Sequence, residues 1–218
     1  MNKKLPILAI ETSADLCSVA VMIDKKTYSE KNLNQKHVHS EKLIDIITNV
    51  MNDADVGLTD LAYIAISVGP GSFTGLRIGM AAVKGLAFGA NLPIVPVPAF
   101  EALAYKICNI IQDEDSFIIT NNVNQTELYY AKYVKKNDGY VIIDKLQLIR
   151  KDSLKMKIEK DDLIFGNYYN YDPLKSIAYP TAIDIAKWSY IYGEDLVTFD
   201  YDYIEPNYLK NFDIKVKK

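Results

Sequence analysis

The segment Ser67–Gly79, SVGPGSFTGLRIG, crowds glycines 69, 71 and 75 and Pro70 between an apolar run and an apolar helix. Such a loop has the look of a phosphate cradle, and spacing is the first test of that reading. A Walker loop requires a lysine directly after its last glycine, to reach the terminal phosphates. Here Gly75 is followed by Leu76. A dinucleotide fingerprint requires Gly-x-Gly-x-x-Gly straight after a first strand. Here Thr74 holds the third place, the loop follows the fourth strand-like run, and no recognisable strand end downstream carries the ribose-binding acid. Both readings fail.

The helix after the loop carries a second signal. At about 100° per residue, Gly75, Gly79, Ala82, Gly85 and Gly89 form one stripe, with Arg77 and Lys84 on the opposite side. Glycine inside a helix costs roughly 1 kcal/mol against alanine, so the stripe implies that another backbone comes very close. That backbone belongs either to the chain's own sheet or to another protein.

Working outward, ILAIETS (Ile7–Ser13) reads as a buried strand ending in a polar turn, and CSVAVMI (Cys17–Ile23) as a second strand. KTYSEKNLN (Lys26–Asn34) reads as the third strand of a meander. In HSEKLIDIITNVMND, Ser40 is a suitable N-cap. Leu43, Ile44, Ile46, Ile47, Val50 and Met51 then cover an arc of roughly 160°, wider than a helix lying on one sheet requires. A second buried contact is implied. LAYIAISVG (Leu61–Gly69) is continuously apolar, the mark of a strand covered on both faces. A helix over Thr74–Gly89, a short strand in LPIVPVP and a helix in AFEALAYKICNII complete the first half.

The acidic QDEDS (Gln112–Ser116) is the expected boundary, giving a first lobe of residues 1–112 and a smaller, more divergent lobe of 113–218 whose C-terminal segment packs back on the first. Beyond it, SFIIT, ELYYAKYV, YVIIDKLQLI and DLIFG read as strands. Asp138–Gly139 signals a hairpin, and TAIDIAKWSYIYG reads as a helix closed by Gly193. Thirteen of the 16 tyrosines follow Gln112; without arginine or a basic stripe they read as half-buried strand residues rather than a platform for bases.

The totals narrow the function. The 218 residues are 49% hydrophobic with a net charge of −3, ordinary for a folded soluble protein and without electrostatic reason to bind nucleic acid unaided. Arg77 and Arg150 are the only arginines, which gives weight to Arg77 beside the glycine loop. Two cysteines build neither a disulfide framework nor a thiolate zinc site. The N-terminal apolar run stops at Glu11, too short for a signal peptide, and no run reaches membrane length. A cytoplasmic location is expected.

ILAIETSADLCSVAV, HSEKL, ISVGPGSFTGLRIGMAAVKGLAFGANLPIVPVPAFEALA and, near the end, EPNYLK resemble the TsaB (YeaZ) family over nearly all of the first 105 residues; the second half resembles it weakly. The resemblance implies an α/β actin/sugar-kinase-like (ribonuclease H-like) fold of two lobes, mixed sheets flanked by helices. It implies a non-catalytic subunit of the machinery that makes threonylcarbamoyladenosine at position 37 of certain tRNAs, heterodimerising with a catalytic TsaD-like subunit. A TsaE-like ATPase joins them, isolated members form homodimers, and tRNA is met only indirectly. No cofactor is implied for the chain alone; the junction with the partner is the place left for ATP or ADP. Two departures stand out. Where relatives read Asp-Ala-Arg-x-Gly-Glu-Val-Tyr, this chain has NVNQTELY, Asn122–Tyr129, and Glu11 stands where many relatives carry aspartate.

The docking reading draws on both helices and the loop. Ile44, Ile47, Met51, Met80 and Phe88 would offer apolar contact, and Gly71, Phe73, Gly75 and Gly79 would permit close approach. Arg77 or Lys84 would anchor the rim. Glu11, Thr12 and Ser13 form the turn that faces a phosphate pocket in the implied fold, read here as a vestige. The alternative is a stand-alone ATPase or small-molecule kinase, which needs a metal-holding carboxylate and a positioned base. A metallopeptidase is disfavoured, because His37 and His39 lack the helical spacing of a zinc pair.

Overall fold

Apolar residues on both faces of β1 (Ile7–Glu11) make it a central strand, and helices cover it from both sides. The structure is a computed structural model, and it describes residues 5–34, 38–168, 177–207 and 209. β1 pairs antiparallel with β2 (Leu16–Met22), which pairs antiparallel with β3 (Tyr28–Asn34). On its other side β1 runs parallel to β4 (Tyr63–Ser67), and β4 parallel to β5 (Ile94–Val97), giving the order β3-β2-β1-β4-β5. Parallel neighbours need crossovers, and helices α1 (Val38–Asp53) and α2 (Phe73–Ala90) provide them.

Period-two alternation sends Leu8, Ile10, Val19, Val21, Ile64 and Ile66 toward α1 and α2. Ile7, Ala9, Ala20, Met22 and Ala65 point the other way, toward α4 (Ala182–Tyr192). That helix comes from the far end of the chain yet lies over β1 and β2. Its first turn is fastened there: Ser18 Oγ accepts from Ala182 N at 2.7 Å and Glu30 Oε1 accepts from Ile183 N at 2.9 Å, satisfying donors that a helix start leaves free. The C-terminal segment also returns to the first sheet, where Thr198 bridges Ile94 and Asn207 N donates to Val68 O at 2.8 Å.

The second sheet repeats the scheme one strand shorter. β6 (Ser116–Asn122) pairs antiparallel with β7 (Glu127–Lys136), β7 antiparallel with β8 (Gly139–Arg150), and β6 parallel with β9 (Leu163–Gly166), in the order β8-β7-β6-β9. α3 (Ala99–Cys108) lies between the sheets: Ala102 packs with the first, while Phe100, Leu103, Ala104 and Ile107 pack on Phe117, Ile119, Tyr133 and Phe165 of the second. Two mixed sheets with this order, each flanked by helices, form the actin/sugar-kinase-like fold that the resemblance implies.

Several local expectations shift. α1 starts at Val38, so Ser40 lies within its first turn rather than at the N-cap. α3 ends at Cys108, short of Ile111. The β7–β8 hairpin turns on Asn137–Asp138, with Asn137 at φ 52°, because Gly139 already pairs with Lys136. Gly193 closes α4 at φ −90°, not in the left-handed region. Glycine is needed there for room, since a Cβ would stand 2.5 Å from Ser189 O and 2.7 Å from Val95 Cγ1.

Candidate functional site

The opening question about the glycine loop has a geometric answer. Ser72 caps α2, its Oγ accepting from Gly75 N at 3.2 Å, and Ser72 N donates to Ser13 O at 2.6 Å. A Cβ on Gly71 would stand 2.1 Å from Ser13 O, and one on Gly75 2.1 Å from Thr12 O. A Cβ on Gly79 would stand 2.3 Å from Thr12 Oγ1. Gly69, at φ +91°, makes the left-handed turn that lets the loop fold back. The glycines thus seat the loop and the start of α2 on the chain's own β1–β2 turn.

That turn is closed beneath them. Glu11 and Thr12 are fully buried and Ser13 nearly so. Ser13 N–H donates to Glu11 Oε1, while Glu11 Oε2, Thr12 Oγ1 and Ser67 Oγ have no hydrogen-bond partner among the described residues. Burial pushes the Glu11 carboxyl up to about 7, only partly offset by its hydrogen bonding with Ser13. Thr12 lies under the helix and offers no hydroxyl to the surface.

In front of the turn is a cleft of about 360 Å³ between the sheets. Ser13, Asp15, Ser72 and Phe73 line one wall, and Asn121, Asn122, Tyr129, Asn167 and Tyr179 the other. The β6–β7 turn is shaped by Asn124, whose Oδ1 accepts from Thr126 N at 2.9 Å and Glu127 N at 2.8 Å. Among the described residues Asp15 is the only charged one in the lining, so these supply no cation for a polyphosphate. Burial raises the Tyr179 hydroxyl, with Asp15 adding to the shift. Arg77 is not in the lining; its guanidinium carbon lies 3.8 Å from the centre of the Phe73 ring. Among the described residues no group of three or more His, Cys, Asp or Glu is placed to hold a metal. His39 falls in the first turn of α1 and His37 outside the described residues. Among the described residues no helix is long and apolar enough to cross a membrane.

The outer face of α1 and α2 is the second candidate site, and here the docking residues divide. Ile47, Met51 and Met80 are buried in the first sheet's own core and are not available at the surface. The wide apolar arc of α1 is explained by internal packing, for that helix touches β2, β3 and α2 together. Ile44 is 56% exposed and Phe88 79% exposed. Arg77 is exposed, Lys84 and Phe73 half-buried, and Cβ atoms on Gly85 or Gly89 would meet nothing within 4 Å. The glycine stripe therefore splits into an inner pair against Thr12 and an outer pair on open surface.

Sequence reasoning missed Asn121, Asn167 and Tyr179 in the cleft. A signal existed: SFIITNN repeats the pattern of ILAIETS, an apolar strand running into a polar turn that faces the same opening.

Comparison with known proteins sharpens the picture. Residues 26–147 match the family model of TsaD, tRNA N6-adenosine threonylcarbamoyltransferase. The chain is 31% identical over 197 residues to the tRNA threonylcarbamoyladenosine biosynthesis protein TsaB of Buchnera aphidicola subsp. Schizaphis graminum, covering 82% of this chain and 90% of that one. Its match to the Haemophilus influenzae TsaB, 31% identical over 134 residues, covers 62% of this chain and spans only 56% of that relative. YeaZ from Pseudomonas aeruginosa superposes with a TM-score of 0.79 at 20% identity, covering 94% of this chain and all of that one, a likeness of fold.

Proposed function

Because the chain belongs to the TsaB (YeaZ) family, we propose that it is a subunit required for threonylcarbamoyladenosine modification of tRNA, acting by pairing with a TsaD-like catalytic subunit. The observation that carries the docking reading is Phe88, 79% exposed on a helix whose neighbouring Gly85 and Gly89 leave open space. A large ring beside small residues is the pattern of an anchor with room for a close partner helix. Ile44 on the neighbouring helix extends the apolar contact, and Arg77 and Lys84 supply its rim. The same face serves self-association of the isolated chain. A TsaE-like ATPase and any ATP or ADP belong to the assembled complex, in keeping with a cleft whose described lining has one acid and no cation. On this reading the chain is not itself the enzyme and meets tRNA only through its partner.

The test is reconstitution of the modification with and without this chain, beside a binding measurement. Phe88→Glu should keep its fold, weaken binding to the TsaD-like subunit at least about tenfold and lower modification in step. Full modification without the chain, or normal binding by both Phe88→Glu and Gly85→Leu, removes the proposal.

A further inference from the structure

We propose that the cleft between the two sheets binds a small zwitterionic amino acid, its carboxylate held by Asn121 and Ser72 and its ammonium group turned to Asp15. The site is separate from the outer face of α1 and α2 and stands independently of the docking reading.

Asn121 lines the cleft and is only 8% exposed. Its Oδ1 accepts from Asn167 N at 3.4 Å, while its Nδ2 has no acceptor among the described residues. An amide donor so nearly buried is costly to leave unpaired. The neighbouring Asn167 is spent on both sides: its Oδ1 accepts from Asn122 N at 2.5 Å and its Nδ2 donates to the Tyr179 hydroxyl. The Asn121 N–H groups are therefore left to whatever enters the cleft.

The opposite wall supplies a second donor. Ser72 Oγ accepts from Gly75 N at 3.2 Å, and a hydroxyl that accepts still has its own proton to give. That proton has no acceptor among the described residues. Ser72 also stands at the start of the 18-residue α2, whose first turn holds no acid. The dipole of a helix favours an anionic group at this end. Donors from both lobes thus meet a volume of about 360 Å³, within the range for small-molecule sites.

Asp15 narrows the ligand. It is the only charged residue in the described lining, so a bare carboxylate meets repulsion at the same opening and a polyphosphate finds no counter-charge. A bare amine leaves the two donors unused. A carboxylate and an ammonium group on one small molecule satisfy the donors and the acid together. Phe73 and Tyr129 offer apolar surface to its side chain.

L-serine, L-alanine and L-glutamine are the probes, titrated into the isotope-labelled full chain, with acetate and methylamine as partial ligands. At least one amino acid should bind with a Kd below about 1 mM and move the Asn121 side-chain amide resonance. Each partial ligand should bind at least about fivefold more weakly. Asp15→Asn, at an exposed position, should weaken binding about fivefold with unchanged melting. Asn121→Asp keeps the oxygen facing Asn167 N, removes the amide donor and should abolish binding; should it melt early, Asp15→Asn decides alone. The proposal is overturned if none of the three amino acids binds, if acetate binds as tightly as they do, or if Asp15→Asn binds normally. The docking experiment reads other residues and is untouched by any of these results.

Discussion

Gly79 and Thr12 are in contact so close that no side chain fits between them: a Cβ on Gly79 would lie 2.3 Å from Thr12 Oγ1. Gly75 repeats the relation one turn earlier against the Thr12 carbonyl oxygen. Helix α2 is thereby locked onto the β1–β2 turn. The same close fit sorts the glycines of one helix into two physical classes.

Gly75→Ala should destabilise the protein by about 1–3 kcal/mol, because the obstructing atom is backbone and cannot rotate away. Gly85→Ala should stabilise by about 0.5–1 kcal/mol, since the new methyl meets nothing and the helix gains propensity. Urea denaturation of both variants decides the matter; equal effects of the two substitutions would refute the split.

Much of this was legible in the sequence, and the limits have definite causes. The places of the strands along the chain followed from apolar runs whose alternation or continuity reports one- or two-sided burial, as in β1 and β4. The glycine stripe marked a close backbone approach at Gly75, but a helical wheel gives angles without saying which neighbour lies at each angle. Gly79 met Thr12 while Gly89, 80° around the wheel, met open space. Met80 and Ile47 looked like contacts on offer because an apolar residue reads the same against a sheet or a partner. Asn167 escaped because its role depends on β9 lying beside β6, a pairing between segments about 45 residues apart.

Lys132 crosses the second lobe to two acids that differ in value. It reaches Asp162 at 2.9 Å and Glu159 at 2.8 Å, but the side chains of Lys132 and Asp162 are 8% and 1% exposed, against 80% for Glu159. Asp162 also accepts from Ser116 Oγ at 2.6 Å and Glu159 N at 2.8 Å. Asp162→Asn should cost about 3 kcal/mol by leaving the buried ammonium only the solvent-exposed Glu159 as counter-charge, and Glu159→Gln less than about 1 kcal/mol. Comparable losses from the two variants in chemical denaturation would contradict this.

Tyr140 ties β8 of the second sheet to α3 and α4 through its hydroxyl. It donates to Glu101 Oε2 of α3 at 3.0 Å and accepts from Trp188 Nε1 of α4 at 2.8 Å. Tyr140→Phe keeps the ring packed on Tyr133 but leaves both groups unpaired, so a loss of about 1–3 kcal/mol is expected. Faster hydrogen exchange should appear in α3 and α4 together. A silent substitution, or exchange confined to β8, would show that the link does not couple β8 to the two helices.

Glu11 gives the protein a pH dependence opposite in sign to that of a paired surface carboxylate. Burial raises its carboxyl from 4.5 to about 7, so between those values the folded chain holds a proton that the unfolded chain has released. Below pH 4.5 both states are protonated and Glu11 carries no penalty. As pH rises toward 7 the unfolded state gains, and the folded state loses on the order of 3 kcal/mol, all of it realised above pH 7. Glu11→Gln removes the titration and adds an amide donor to a buried turn in which Thr12 Oγ1 and Ser67 Oγ have no partner among the described residues. The variant should therefore be more stable than the parent at pH 8, by about 2–4 kcal/mol, with the difference shrinking steadily toward pH 4.5. Asp162 titrates in the other sense. Burial raises its carboxyl, but the hydrogen bonds and Lys132 outweigh that and hold it below its ordinary value, so its contribution is present above about pH 4 and lost as pH falls through the lowered value. Stability curves of the parent and Glu11→Gln across pH 4–8 separate the two carboxyls. A difference that stays constant over that range would mean that Glu11 does not hold its proton in the folded chain.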